Sequence, residues 1–329
     1  MTSLKFRFIA LIGAAAISLT ACGAQTPAAT TDSNTDAPAT VSIEDNNGPQ
    51  TISTPLKSVV ATDNRTFETL SDWGIKLSAG AVALMPKTSG YKQDSSIVDL
   101  GNHREPNLEA VVAVEPDLIV NGQRFSQYHD DFAKLAPNAT VLELDPREGQ
   151  PFDSELKRQI SVLGEVFGKK TEAKKLNDDF DAAIARVKKS YNKDTTVMGV
   201  ITSGGNINYS APGNGRTLGP LFSILGLTPA LEVKDASTDH QGDDISVEAI
   251  AKSNPDWILV MDRDAAVSAD DAAYKPANAL LEGSDALKNV TATQKGNIVY
   301  MPADTYTNES IQTYTKFLNS FAEALEGKK

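Results

Sequence analysis

From about Thr51 onward, short uninterrupted apolar runs alternate with longer stretches whose apolar positions recur every three or four residues. Uninterrupted runs predict strands buried on both faces, and the helical period predicts helices packed through one stripe. Strands are expected at 56–60, 117–120, 140–144, 197–201, 257–261 and 298–301. Helices are expected from Asn64, as cap, to Gly74, after Asn107, and over 125–135, 154–167, 218–225, 247–251 and about 309–325. The longest helical stretch is 169–191, with Leu176, Phe180, Ile184 and Val187 on one stripe. Such alternation implies an α/β fold with mostly parallel sheets.

The first fifty residues follow another pattern. Lys5 and Arg7 precede an apolar run from Phe8 to Leu19, the charged and hydrophobic regions of a secretory signal, too short for a comfortable membrane span. The run ends in Leu19-Thr20-Ala21-Cys22-Gly23, which resembles a bacterial lipobox. That resemblance implies removal of 1–21 and lipidation of Cys22, which would hold the protein on the outer face of the cell membrane. Residues 22–50, rich in Thr, Ala, Asp, Asn and Pro, are expected to form a disordered tether.

Composition narrows the function. The chain of 329 residues carries 31 Lys and Arg against 43 Asp and Glu, a formal charge of −12 that argues against a nucleic-acid partner. One Cys excludes an internal disulfide or thiolate cluster, and three His give no preformed site for a bare metal.

An internal repeat carries the most information. Asn107-Leu108-Glu109-Ala110-Val111-Val112 recurs as Ser246-Val247-Glu248-Ala249-Ile250-Ala251, and Pro116-Asp117-Leu118-Ile119-Val120 as Pro255-Asp256-Trp257-Ile258-Leu259. Arg124 and Arg263 follow, and the same interval separates the Glu, Pro-Asp and Arg pairs. Two similar lobes are expected, each with an arginine just past the carboxyl end of a buried strand, where open α/β sheets bind ligands.

Paired Leu-Glu-Ala-Val…Pro-Asp-Leu-Ile-Val segments, a lipobox and one long intervening helix resemble the substrate-binding proteins of iron-siderophore and cobalamin ABC importers. The resemblance covers 51–327 and implies a class III fold: two Rossmann-like lobes, 51–168 and 192–329, joined by a rigid helix at 169–191. Asn121-Gly122-Gln123-Arg124, Gly213-Asn214-Gly215-Arg216, Asp239-His240-Gln241-Gly242, Met261-Asp262-Arg263 and the 300–306 segment look like pocket segments of the branch that binds ferric catecholates. In that branch three arginines surround the anionic complex, and a His and a Tyr complete iron coordination when the siderophore supplies four donors. Residue matching assigns Arg124, Arg216 and Arg263 to the arginines and His240 to the His. Tyr306 is the best candidate for the Tyr. Tyr209, after Ser203-Gly204-Gly205-Asn206, is a further candidate for stacking on the ligand. Gly213 and Gly215 are expected to let backbone approach it.

The chemistry agrees with these residue types. Guanidinium forks suit hard anionic oxygens, and imidazole and phenolate suit Fe(III). The resemblance also implies that Glu109 and Glu248 dock an ABC permease served by its ATPase, although each also fits a helix N-terminus. His103 and Arg104 receive no direct role, and His129 is expected to be solvated. A monomeric, non-enzymatic receptor with no intrinsic cofactor is expected. Haem, cobalamin, hydroxamate or citrate-type siderophores remain alternative ligands. An envelope hydrolase is the alternative of another class, but no Gly-x-Ser-x-Gly, His-Glu-x-x-His or P-loop motif is present.

Overall fold

A computed structural model describes residues 39–101 and 104–327. The signal segment, Cys22, the first part of the expected tether and His103 lie outside the described residues.

The described residues begin with a strand pair where a tether is expected. β1 (Ala39–Asp45) and β2 (Gly48–Thr54) pair antiparallel through a two-residue turn at Asn46-Asn47. The segment 39–50 is therefore ordered. Val41 and Ile43 alternate with polar residues, and Ile43 and Ile52 are buried in the main core. The Asp45 carboxylate accepts from the Asn47 and Glu143 amides, fixing the turn to the first lobe. A four-residue apolar alternation next to Thr-, Asp- and Pro-rich sequence is too short to stand out as periodic.

The first lobe holds a parallel sheet in the order β5-β4-β3-β6-β7: β3 (Val59–Ala61), β4 (Ala79–Gly80), β5 (Val98–Asp99), β6 (Leu118–Asn121) and β7 (Thr140–Glu143). The second lobe holds β8 (Thr196–Ser203), β9 (Asn206–Ser210), β10 (Thr228–Pro229), β11 (Trp257–Asp262) and β12 (Ile298–Tyr300). Its order is β10-β8-β11-β12, parallel, with β9 antiparallel to β8. Along β11, Trp257, Leu259 and Met261 enter the main core, while Ile258 and Val260 enter a second core on the opposite face. Both faces of this strand are covered by other elements, which is why it reads as an unbroken apolar run.

The repeated motifs have a common structural task. Asn107 Oδ1 accepts from the Ala110 amide, and Ser246 Oγ from the Ala249 amide, so both residues cap their helices. Asp117 Oδ2 accepts from the Lys57 and Ser58 amides, and Asp256 Oδ2 from the Thr196 amide. In each lobe the Pro-Asp carboxylate thus ties the repeat to the segment leading into the neighbouring strand.

The lobes are joined by the helix Lys170–Ser190, whose buried stripe contains Phe180, Ala183, Ile184 and Val187. The final helix, Ile311–Glu326, packs along it. This last helix also reaches the first lobe, where Gln312 accepts from Thr69 Oγ1 and Lys316 pairs with Glu68. The described residues consequently form one compact unit.

Three local readings change. The helix Phe67–Asp72 is preceded by Thr66, not capped by Asn64. The expected helix over 125–135 is a 3-10 segment, Gln123–Tyr128, followed by an α-helix, His129–Leu135. His129 is half-buried rather than fully solvated: its Nδ1 lies 3.2 Å from the buried Glu143 carboxylate.

Candidate ligand-binding site

In each sheet the chain reverses its direction of growth between two adjacent central strands, β3 and β6 in one lobe and β8 and β11 in the other. Crevices outside the carboxyl ends of such strands are the binding positions of open α/β sheets. Here they open onto one cavity of about 410 Å³ lined from both lobes. Residue Asn64, past β3, and Gln123 and Arg124, past β6, line it from the first lobe; Arg216, Arg263 and Tyr306 line it from the second.

Tyr306 organises the charge. The Arg216 and Arg263 guanidinium carbons lie 4.7 and 4.8 Å from its ring centroid, and Arg124 donates to its hydroxyl at 2.8 Å. Cation–π contact holds the guanidiniums against the ring while leaving N–H groups for a ligand. The His240 ring centroid is 6.3 Å from that of Tyr306. Burial lowers the His240 pKa, and Arg263, Arg124 and Arg216 add to that effect against the opposing pull of Asp239. The neutral imidazole so favoured is the form that coordinates metals.

Counter-charge sits behind the cavity. The buried Glu309 carboxylate accepts from Arg216 Nε and Nη2 at 3.2 and 3.1 Å, from Gln123 Nε2 and from Thr217 Oγ1. It also lies 3.6 Å from Arg65. Burial alone would raise the Glu309 pKa, but the Arg216 and Arg65 charges outweigh it and bring it to about 2. Asp63 has the opposite balance: burial, then Asp145 nearby, raises it to about 7 against the pull of Arg65. Arg263 is paired with Asp264, whereas Arg124 makes no ion pair among the described residues.

Five of the six residues assigned to the ligand therefore come together: Arg124, Arg216, Arg263 and Tyr306 in the lining, and His240 beside Tyr306. Tyr209 does not join them. Ser203 pairs with Asn206 across a Gly204-Gly205 hairpin turn, both glycines at positive φ, which makes Tyr209 part of β9 rather than a loop residue. Its ring is buried in the second core, and its hydroxyl donates to the Leu231 carbonyl at 2.6 Å.

Gly215, before Arg216, has a packing role in the fold. A Cβ on Gly215 would stand 2.4 Å from the Ala211 nitrogen and 2.6 Å from its oxygen. We expect Gly215→Ala to cost about 1–3 kcal/mol, as overpacking does, and to move Arg216 off Glu309. Denaturant unfolding and ligand titration should report both losses together; a stable variant with unchanged affinity would contradict this role.

Lys87, Lys92, Asn64, Gln123 and Thr307 complete the polar lining, and of these only Gln123 belongs to a segment whose sequence resembles a pocket segment. The lysines belong to a loop after β4, whose two-residue length leaves no periodic signal. The lining contains five cationic side chains and, among the described residues, no carboxylate. Glu109 and Glu248 lie elsewhere, exposed in the first turns of their capped helices.

Known proteins share this architecture. The petrobactin-binding protein YclQ of Bacillus subtilis is 28% identical over 99% of this chain and 100% of its own length. The ferric-anguibactin-binding protein FatB of Vibrio anguillarum is 26% identical over 91% and 90%. The crystal structure of the catecholate-siderophore binding protein VctP from Vibrio cholerae superposes with a TM-score of 0.73 at 24% identity, covering 88% of this chain and all of VctP. The YclQ crystal structure gives 0.73 at 23% identity, covering 88% of this chain and 99% of YclQ. With a profile match over residues 59–305 to the family described as periplasmic binding protein, the chain belongs to that family.

Proposed function

We propose that the protein is a receptor for an anionic ferric siderophore of the catecholate type, which it passes to an ABC permease for iron uptake. The observation that carries this reading is the clustering of Arg124, Arg216 and Arg263 around Tyr306 in a cavity whose lining, among the described residues, has no carboxylate. In a protein of formal charge −12, such a local reversal of sign supports capture of an anion. The similarity to YclQ, FatB and VctP, all named as siderophore-binding proteins, supports the same class. His240 and Tyr306 are proposed to supply the last two donors when the siderophore fills four sites. Glu109 and Glu248 are proposed to meet the permease, and Cys22 to carry the lipid anchor.

A titration panel tests this reading. Ferric bis-catecholates with four donors should bind more tightly than ferric tris-catecholates, with a shift of the visible charge-transfer band as the protein ligates iron. His240→Ala should remove both the preference and the shift. Uncharged ferric hydroxamates binding as tightly as catecholates would overturn the proposal.

A further inference from the structure

Almost every polar side chain facing the cavity is already engaged within the protein. Gln123 donates to Glu309, Arg124 to Tyr306, Lys92 to the Val82 carbonyl and Thr307 to the Asp304 carbonyl. Arg216, Arg263 and Lys87 are held by Glu309, Asp264 and Asp270. Arg263 Nε is buried without a partner, but that side chain is otherwise paired; among the neutral side chains of the described lining Asn64 is the exception. It is only 8% exposed, it lines the cavity, and its buried Oδ1 has no hydrogen-bond partner. Its Nδ2 makes no hydrogen bond among the described residues either. A carboxamide carries a donor and an acceptor, so either orientation of the group leaves polar capacity unused.

The position is built rather than incidental. Asn64 follows β3 in a tight turn in which the Thr66 amide donates to the Asp63 carbonyl and the Arg65 amide to Asp63 Oδ1. Asp63 is itself buried and fixed by Gln159 Nε2 at 2.8 Å. The turn sends Arg65 to the carboxylates behind the cavity and leaves Asn64 at its wall, beside the carboxyl end of β6. An unmet buried amide destabilises the free protein, and a ligand that meets it gains in affinity and specificity.

We infer that Asn64 is a ligand-binding residue that hydrogen-bonds a neutral amide in the spacer joining the iron-binding arms of the siderophore. The inference rests on the receptor reading above. The arginines and lysines supply charge, which suits the iron centre; the one neutral, unengaged group suits a neutral partner that can both donate and accept. The ligand class is thereby narrowed to ferric catecholates with amide-linked arms.

Asn64→Leu, nearly isosteric, tests this. Calorimetric titration would compare a ferric bis-catecholate with amide-linked arms against the ferric complex of free catechol, which has no spacer. We expect the variant to lose about tenfold in affinity for the first and less than twofold for the second. Its unfolding midpoint in the absence of ligand should be unchanged or higher, since an unmet polar group has been removed. Equal losses for both complexes would mean that Asn64 only positions the turn, and no loss for either would mean no contact; both outcomes overturn the inference while the receptor reading stands. If the unsubstituted protein binds neither complex, the receptor reading falls and this inference with it.

Discussion

Replacing Glu309 by Gln should destabilise the protein by about 3–5 kcal/mol, the cost of removing one partner from a buried ion pair. Glu309 is the counter-ion that Arg216 shares with Arg65, and the carboxylate and both guanidiniums are largely screened from water. Arg65 keeps Asp145 at 3.2 Å, but Arg216 has no other carboxylate among the described residues. Urea unfolding at neutral pH measures the loss, and a change below about 1 kcal/mol would show that the pair is not a major contributor. The pH dependence gives an independent check. The Glu309 pKa is lowered from 4.5 unfolded to about 2 folded, so its contribution is complete above pH 4.5 and is lost as pH falls towards 2. The gap between the two proteins should therefore close across that window.

Removing Arg124 and Arg263 together should abolish high-affinity capture without unfolding the receptor. Among the described residues Arg124 has no carboxylate to abandon, and Asp264, released by Arg263, still accepts from the Gly204 amide at 2.6 Å. Hydrogen bonds to charged groups contribute about 1.5–3 kcal/mol each, so the double alanine variant should bind ferric catecholates about a hundredfold more weakly or worse. Quenching of intrinsic fluorescence reads this directly. Lysine at both positions should restore only part of the affinity, because an ammonium lacks the planar fork that faces two oxygens at once. Affinity retained within threefold in a folded double variant would remove the arginines from the site. Arg216 is a poorer probe, since its loss leaves Glu309 buried beside Arg65 alone.

The parts of this structure that could be read from sequence are those in which local pattern and tertiary role coincide. Pro-Asp before an apolar run predicts both a strand and its tie to a neighbour, and Asp117 and Asp256 make those ties. Arg124 and Arg263 were visible because a strand end is also a binding position. Other features had no local signature. β4 and β5 have two residues each, too few to show a period. Tyr209 resembles a loop aromatic until the Gly204-Gly205 turn is recognised as a hairpin. Glu309 reads as an acid at the start of a helix, and only the folded chain shows that it neutralises arginines from both lobes. Asn64 looked like a helix cap because Asn commonly is one; its turn instead leaves the side chain unpaired at the cavity wall.

The return of the last helix to the first lobe bears on when the site comes into being. Thr69 and Gln312 are 243 residues apart in sequence, Gln123 and Glu309 are 186, and Arg216 and Glu309 are 93. Contacts of such separation close large loops and form late. A chain emerging from its amino terminus exposes Arg65, Arg124 and Arg216 well before the carboxylate that holds two of them in place. Until Glu309 arrives, those arginines are solvated and unaligned, a poor trap for an anion. On the proposed function, competence to bind therefore marks a finished molecule, and a truncated or half-folded chain would withhold no ferric siderophore from the cell.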